Sequence, residues 1–185
     1  CETMVAAKDN HLMLARGPAM ILAQLAHRMD EPVGTVVEIC PAAAPIASTI
    51  SERINSHGGA AIFVDYGGWI SRGDTFQALR NHRFADPLAE PGLADLTAHV
   101  DFAALAKAAE PAATAFVTQG QLLSRLGIGQ RSARLAAQLQ GDRLASHLAA
   151  TQRLTAPEEM GSLFKALAIH PSGTRPPPGF ETEAT

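Results

Sequence analysis

The chain is 185 residues long, 46% hydrophobic and 18% charged, with a formal net charge of −3. That length suffices for one domain with a sizeable core. The charge balance leaves no basic excess to recruit nucleic acid, and no apolar run reaches the length of a membrane span.

No signal-peptide pattern opens the sequence. The first residue is Cys1 rather than Met, which fits a piece of a longer protein at least as well as a processed one. Cys1 and Cys40 lie far apart without metal-ligand spacing and are expected to be free thiols in a reducing compartment.

Residues 4–7 and 12–15 flank Lys8-Asp9-Asn10-His11, a polar cluster suited to a tight turn, and predict a β-hairpin. Gly17-Pro18 breaks it. Pro18 suits the first turn of a helix running to Met29, with Leu22, Leu25, Ala26 and Met29 on one face. Residues 36–39 form a short apolar piece interrupted by Glu38. Ile46, Ile50 and Ile54 then recur at every fourth position, the stripe of an amphipathic helix that His57-Gly58 stops.

Glycines bracket the run 60–64, which is too short for a helix and rich in Ile, Phe and Val. It reads as a buried, central parallel strand covered by helices on both faces. Asp65-Tyr66-Gly67-Gly68 then sits at its carboxyl end, the edge where open α/β sheets bind ligands. Residues 69–74 read as a loop and 75–83 as extended chain, with turns at Asp86-Pro87 and Pro91-Gly92.

Residues 96–100 predict another strand. Asp101 is a natural N-cap for a helix whose Phe102, Leu105, Ala106 and Ala109 share a face. Pro111 ends that helix, 115–118 is a strand, and Gln119-Gly120 opens a short helix that stops at Gly127. A long helical stretch covers 131–152, with Gly141 as a potential break and Leu135, Leu139, Leu144 and Leu148 as its stripe. Residues 163–169 predict the last strand. From Pro171 to 185 runs a Pro-rich tail without core-forming pattern, leaving 1–170 as the structured region. No linker divides the chain, and the alternation of strand and helix gives an α/β class.

The seven histidines are scattered, with no pair at the spacing of a zinc site, so no metal is expected. Nucleophile-elbow, Walker and dinucleotide fingerprints are absent from the sequence. The densest polar cluster is Asp95-Leu96-Thr97-Ala98-His99-Val100-Asp101. Strand alternation would put Asp95, Thr97, His99 and Asp101 on one face, where His99 could handle a proton between carboxylates. The plainer reading makes Asp101 a helix cap and His99 a packed structural residue. Gln119-Gly120 offers a side-chain amide and a close backbone approach to a ligand, or simply a turn.

Several words extend beyond pattern. They run from Gly58-Gly59-Ala60-Ala61 and Val64-Asp65-Tyr66-Gly67 through Gly73-Asp74-Thr75-Phe76-Gln77-Ala78 to the run Asp95–Phe102. Thr118-Gln119-Gly120, Arg153-Leu154-Thr155 and Met160-Gly161-Ser162-Leu163-Phe164-Lys165 follow in the same order. On these words the chain resembles the C-terminal half of the MidA-type methyltransferases of bacteria and mitochondria.

The resemblance implies a Rossmann-like class I fold with an antiparallel final strand, and S-adenosyl-L-methionine as cofactor. It also implies a protein substrate, with symmetric dimethylation of arginine on a respiratory complex I subunit as the mitochondrial activity. The chemistry would be in-line displacement on the sulfonium methyl by a guanidinium nitrogen, with carboxylates orienting the guanidinium. Asp65, His99 and Asp101 are then the catalytic candidates, and Tyr66, Gly67, Asp74, Thr97 and Gln119 the substrate-contact candidates.

The family's glycine-rich cofactor turn and acidic strand ends have no counterpart here, so the chain reads as a fragment whose cofactor contacts cannot be assigned. A non-catalytic α/β interaction module is the alternative, and a homo-oligomer is compatible with either. Composition leans to a bacterial cytoplasm; the resemblance offers the mitochondrial matrix.

Overall fold

The computed structural model describes residues 1–181, which divide into two compact units. The first comprises Cys1–Glu38 and Arg72–Ala98, the second residues 39–71 and 99 onward.

In the first unit, β1 (Thr3–Lys8) and β2 (His11–Arg16) form the expected hairpin. Asp9 and Asn10 both adopt positive φ, the two-residue turn whose twist matches the strands. The helix expected over 18–29 shrinks to a 3-10 turn, Ala23–Arg28, with no buried residue and no side-chain cap. Met20, Ile21 and Met29 remain exposed. A helix this short needs burial of its apolar stripe to persist, and here Leu22 and Leu25 are only half-buried while Ala26 and Met29 are exposed.

The extended chain expected over 75–83 is interrupted: β4 (Gln77–Arg80) turns at Asn81-His82, both at positive φ, into β5 (Arg83–Ala85), with β6 (Asp95–Thr97) on the other side of β4. Residues 36–38 form no strand. Val36 O accepts from Gly73 N–H at 3.1 Å, and Glu38 accepts from the backbone and hydroxyl of Thr75.

The second unit holds a four-stranded sheet in the order β7 (Val100–Asp101), β3 (Ala61–Gly68), β9 (Phe164–His170), β8 (Ala113–Thr118). β9 runs antiparallel to both neighbours, with Phe63 opposite Leu167 and Phe116 opposite Leu167. This is the expected antiparallel last strand. It is also the buried centre of the sheet, because Ala166, Leu167, Ala168 and Ile169 are all fully buried.

The expectation of a doubly covered central strand at 60–64 is therefore corrected. β3 is half-covered: Ala61 and Phe63 join the core, whereas Ile62 and Val64 stay 51% and 48% exposed.

On one sheet face pack α1 (Ala43–His57) and α2 (Phe102–Ala108), burying Ala47, Ile54, Phe102 and Leu105 against Leu167 and Ile169. The stripe of α1 is rotated from the expected one. Ala47, Ser51 and Ile54 face inward while Ile46 is exposed, and the Ser51 hydroxyl donates to Ala109 O. Small residues let the helix sit close to the sheet, and the serine finds a buried acceptor there. Gly58, at positive φ, closes α1 by donating its N–H to Ile54 O.

The other face carries α3 (Gln119–Arg125), whose Leu122 packs with Val117, Ala166, Ala168 and Phe180. The expectation that nothing past Pro171 contributes to the core is corrected by Phe180, only 1% exposed. Residues 182–185 of the expected tail lie outside the described residues.

The long helical stretch is broken as anticipated, into α4 (Ile128–Ala136) and α5 (Gly141–Thr155). The short α6 (Met160–Leu163) leads into β9.

Candidate functional site

The carboxyl end of β3 is where polar and aromatic groups collect in the second unit. Gly67 and Gly68 pair in parallel with Val100 and Asp101. A Cβ on Gly67 would come within 2.2 Å of the Val100 carbonyl oxygen, so only glycine lets β7 approach this closely.

Directly after β7 the chain turns into α2, and Asp101 caps it. Its Oδ1 accepts from Ala104 N–H at 3.0 Å and its Oδ2 from Ser71 N–H at 3.1 Å. Ala103 N–H donates to Trp69 O at 2.8 Å. Two of the otherwise unpaired first-turn donors of α2 are thereby satisfied, and the loop leaving β3 is tied to the helix start.

Tyr66 lies opposite Phe164 across the sheet, with the rings edge-on at 5.4 Å. The His99 ring approaches Tyr66 at 5.9 Å, tilted by 59°. Asp65 Oδ1 accepts from Tyr66 N–H at 2.8 Å.

Lys165 stands opposite both Asp65 and Thr118 in the register. Its ammonium donates to the Ser162 and Leu163 carbonyls, and burial pushes its pKa below the usual lysine range. Sequence reasoning quoted Lys165 and Phe164 only as part of a family word. What places them at this end is cross-strand register, for which the sequence offered no signal.

The predicted residues thus divide. Asp65, Tyr66, Gly67, His99 and Asp101 converge at the end of β3. Asp74 and Thr97 belong to the first unit, where Asp74 lines a cavity with Glu31 and Arg72. The continuous strand expected over 96–100 does not form. β6 ends at Thr97 and β7 begins at Val100, in different sheets, so the expected shared face of Asp95, Thr97, His99 and Asp101 is not built.

Gln119 is only 8% exposed and its Nε2 donates to Leu154 O at 2.9 Å. At Gly120 an added Cβ would meet Thr155 O at 2.7 Å, so this pair serves helix packing. Among the described residues, no group of three or more His, Cys, Asp or Glu side chains could hold a metal ion.

A protein-family model described as "Putative S-adenosyl-L-methionine-dependent methyltransferase" matches residues 1–120. The chain belongs to this family. Methyltransferase relatives include the mitochondrial protein arginine methyltransferase NDUFAF7 of Xenopus laevis, 34% identical over 183 residues and 92% of this chain. Its Xenopus tropicalis counterpart is 40% identical over 122 residues, 65% of this chain. A protein from Burkholderia thailandensis crystallised with S-adenosyl-homocysteine superposes with a TM-score of 0.75 at 28% identity, over 98% of this chain.

The fold is that of the class I S-adenosylmethionine-dependent methyltransferases, with the antiparallel last strand in place. The chain spans 42% of the X. laevis relative, 28% of the X. tropicalis one and 48% of the Burkholderia chain.

The described residues do not by themselves fit the cofactor this family implies. At the end of β3, the space beside Gly67 is filled by Val100 and that beside Gly68 by the Ile70 carbonyl. The Asp65 and Asp101 carboxylates accept backbone N–H groups there.

Proposed function

We propose that this chain is the C-terminal part of an S-adenosyl-L-methionine-dependent protein arginine methyltransferase, with residues 1–170, joined by the packed Phe180, forming part of the methyltransferase domain. The cofactor contacts are assigned to the rest of that protein. The observation that carries the reading is the convergence of Asp65, Tyr66, Gly67 and His99 at the carboxyl end of β3, inside the stretch matched to the methyltransferase family.

In this reading His99, held against the Tyr66 ring, faces the protein substrate and accepts the proton that the guanidinium nitrogen loses as it gains the methyl group. Asp65 is carried forward as the candidate carboxylate that orients the guanidinium. Asp101 is a positioning residue, because both its oxygens hold the start of α2 and the loop at Ser71. Asp74 and Thr97, on the first unit, are carried forward as substrate-contact candidates for their own variants. Gln119 acts through packing.

The methylated substrate is proposed to be a protein arginine, and a respiratory complex I subunit is the acceptor we would assay first. Cys1 and Cys40 are exposed and unbridged, which suits either reducing compartment, a bacterial cytoplasm or a mitochondrion. The mitochondrial names of the relatives favour the second.

The test compares His99→Ala and Asp101→Ala in the whole protein for melting temperature, cofactor affinity and methyl transfer to arginine. His99→Ala should melt normally and bind cofactor but lose about a hundredfold or more in turnover. Asp101→Ala should lose about 1 kcal/mol of stability with the cap. If His99→Ala melts early and keeps its turnover, His99 is a packing residue. A whole protein that binds cofactor but methylates no arginine would instead point to an interaction module.

A further inference from the structure

We propose that the helical face built by α3, α4 and α5 is a docking groove for an acidic amphipathic helix of a partner protein. Three observations converge on it.

The first is a cavity of about 400 Å³ between these helices, lined mainly by apolar side chains. Leu126, Leu135 and Leu154 stand on its lining and are still 56%, 42% and 37% exposed. Leucines of three helices that open to solvent around one hollow form a groove of the kind that receives apolar anchors spaced by a helical turn.

The second is rigidity. Ser132 Oγ lies 2.9 Å from His147 Nε2 and 3.0 Å from Thr151 Oγ1, which pins α4 to α5 across the floor of the hollow. A groove with a fixed floor is already shaped for its ligand, so little ordering is needed on binding.

The third is charge, and it selects the occupant. Residues 119–155 carry five arginines and a single acid, Asp142, a net of +4 in a chain whose total is −3. Arg131 lines the cavity itself, and Arg134 and Arg153 are the chain neighbours of Leu135 and Leu154. A partner that places leucines in the hollow and carboxylates at its rim satisfies both features. The concave, partly polar floor suits an inserted helix better than a lipid surface, which would call for a protruding apolar face. The proposal does not rest on methyl transfer, and its test reads binding alone.

The probe is a fluorescein-labelled synthetic helix about five turns long, with leucines at heptad spacing and glutamates on the flanks. Its control carries lysines in place of the glutamates. Both are titrated with the whole protein by fluorescence anisotropy.

The glutamate peptide should bind at least about tenfold more tightly than the lysine control. Leu135→Lys and Arg131→Glu should each weaken it by about tenfold. Both positions are exposed, and a circular-dichroism melt confirms that each variant folds. The proposal is overturned if the glutamate peptide does not bind, if both peptides bind equally, or if folded Arg131→Glu binds as the unaltered protein does. Displacement of the peptide by phosphatidylserine vesicles, but not by neutral ones, would reassign the surface to membranes and equally overturn it.

Discussion

Glu31 shows how a single side chain organises the first unit. Its carboxylate accepts from Arg72 Nε at 3.1 Å and from Arg28 Nε at 3.0 Å. The Arg72 hydrogen bond, with help from Arg28, holds its pKa below the ordinary 4.5 although burial pulls the other way. A folded-state pKa below the unfolded one means the ion pairs stabilise fully above the unfolded value. That contribution is lost as pH falls through the depressed folded value. We therefore expect the Glu31 carboxyl carbon to titrate by NMR with a midpoint below 4.5, and Glu31→Gln to flatten the acid limb of the stability curve. A midpoint at or above 4.5 would show that the pairs do not persist in solution. None of this was legible beforehand, because Glu31 and Arg72 are distant in sequence and carry no motif. Asp101, by contrast, was readable as a cap from its place before an apolar helical run, and its hydrogen bond to Ala104 N–H is the one that placement predicts.

At the scale of elements, most local signals were legible, the helix expected over 18–29 being the exception, whereas strand order was not. Turn chemistry located the first hairpin turn and the Gly58 stop but not the turn at Asn81-His82, and apolar spacing located α1, α2 and α3. The run 60–64 looked doubly buried because every residue in it is apolar. Which strand lies at the centre, however, depends on strand order, and strand order is set by long-range pairing. β9 took that place, carrying helices on one face and α3 with Phe180 on the other. The apparently continuous strand 96–100 failed for a related reason, since its two ends pair with different sheets. The contrast between β9 and β3 can be measured. Leu167→Ala empties a fully buried site and should cost about 2–5 kcal/mol in denaturant unfolding. Val64→Ala, on the uncovered face of β3, should stay within about 0.5 kcal/mol. Comparable losses at both would mean that the outer face of β3 is covered in solution.

At the scale of the whole molecule, the same uncovered features bear on the cofactor. β7 pairs with β3 only at Gly67 and Gly68, so among the described residues the edge from Ala61 to Tyr66 carries no strand on that side. An open edge next to the exposed Ile62 and Val64 is a template for association, and covering it is the natural task of further chain. Two cavities lie elsewhere, one among α3, α4 and α5 and the other around Glu31 and Arg72. At the end of β3, the Val100 and Ile70 carbonyls take the space that a Cβ on Gly67 or Gly68 would need, and the Asp65 and Asp101 carboxylates accept backbone hydrogen bonds. Since the chain spans half or less of the relatives that cover most of it, we expect the 185-residue chain alone to bind S-adenosyl-L-methionine more weakly than about 1 mM, roughly 4 kcal/mol of binding free energy. The whole protein should bind in the micromolar range, roughly 8 kcal/mol. Isothermal calorimetry on both forms decides the matter. Micromolar binding by the chain alone would mean that the cofactor contacts lie on these residues after all.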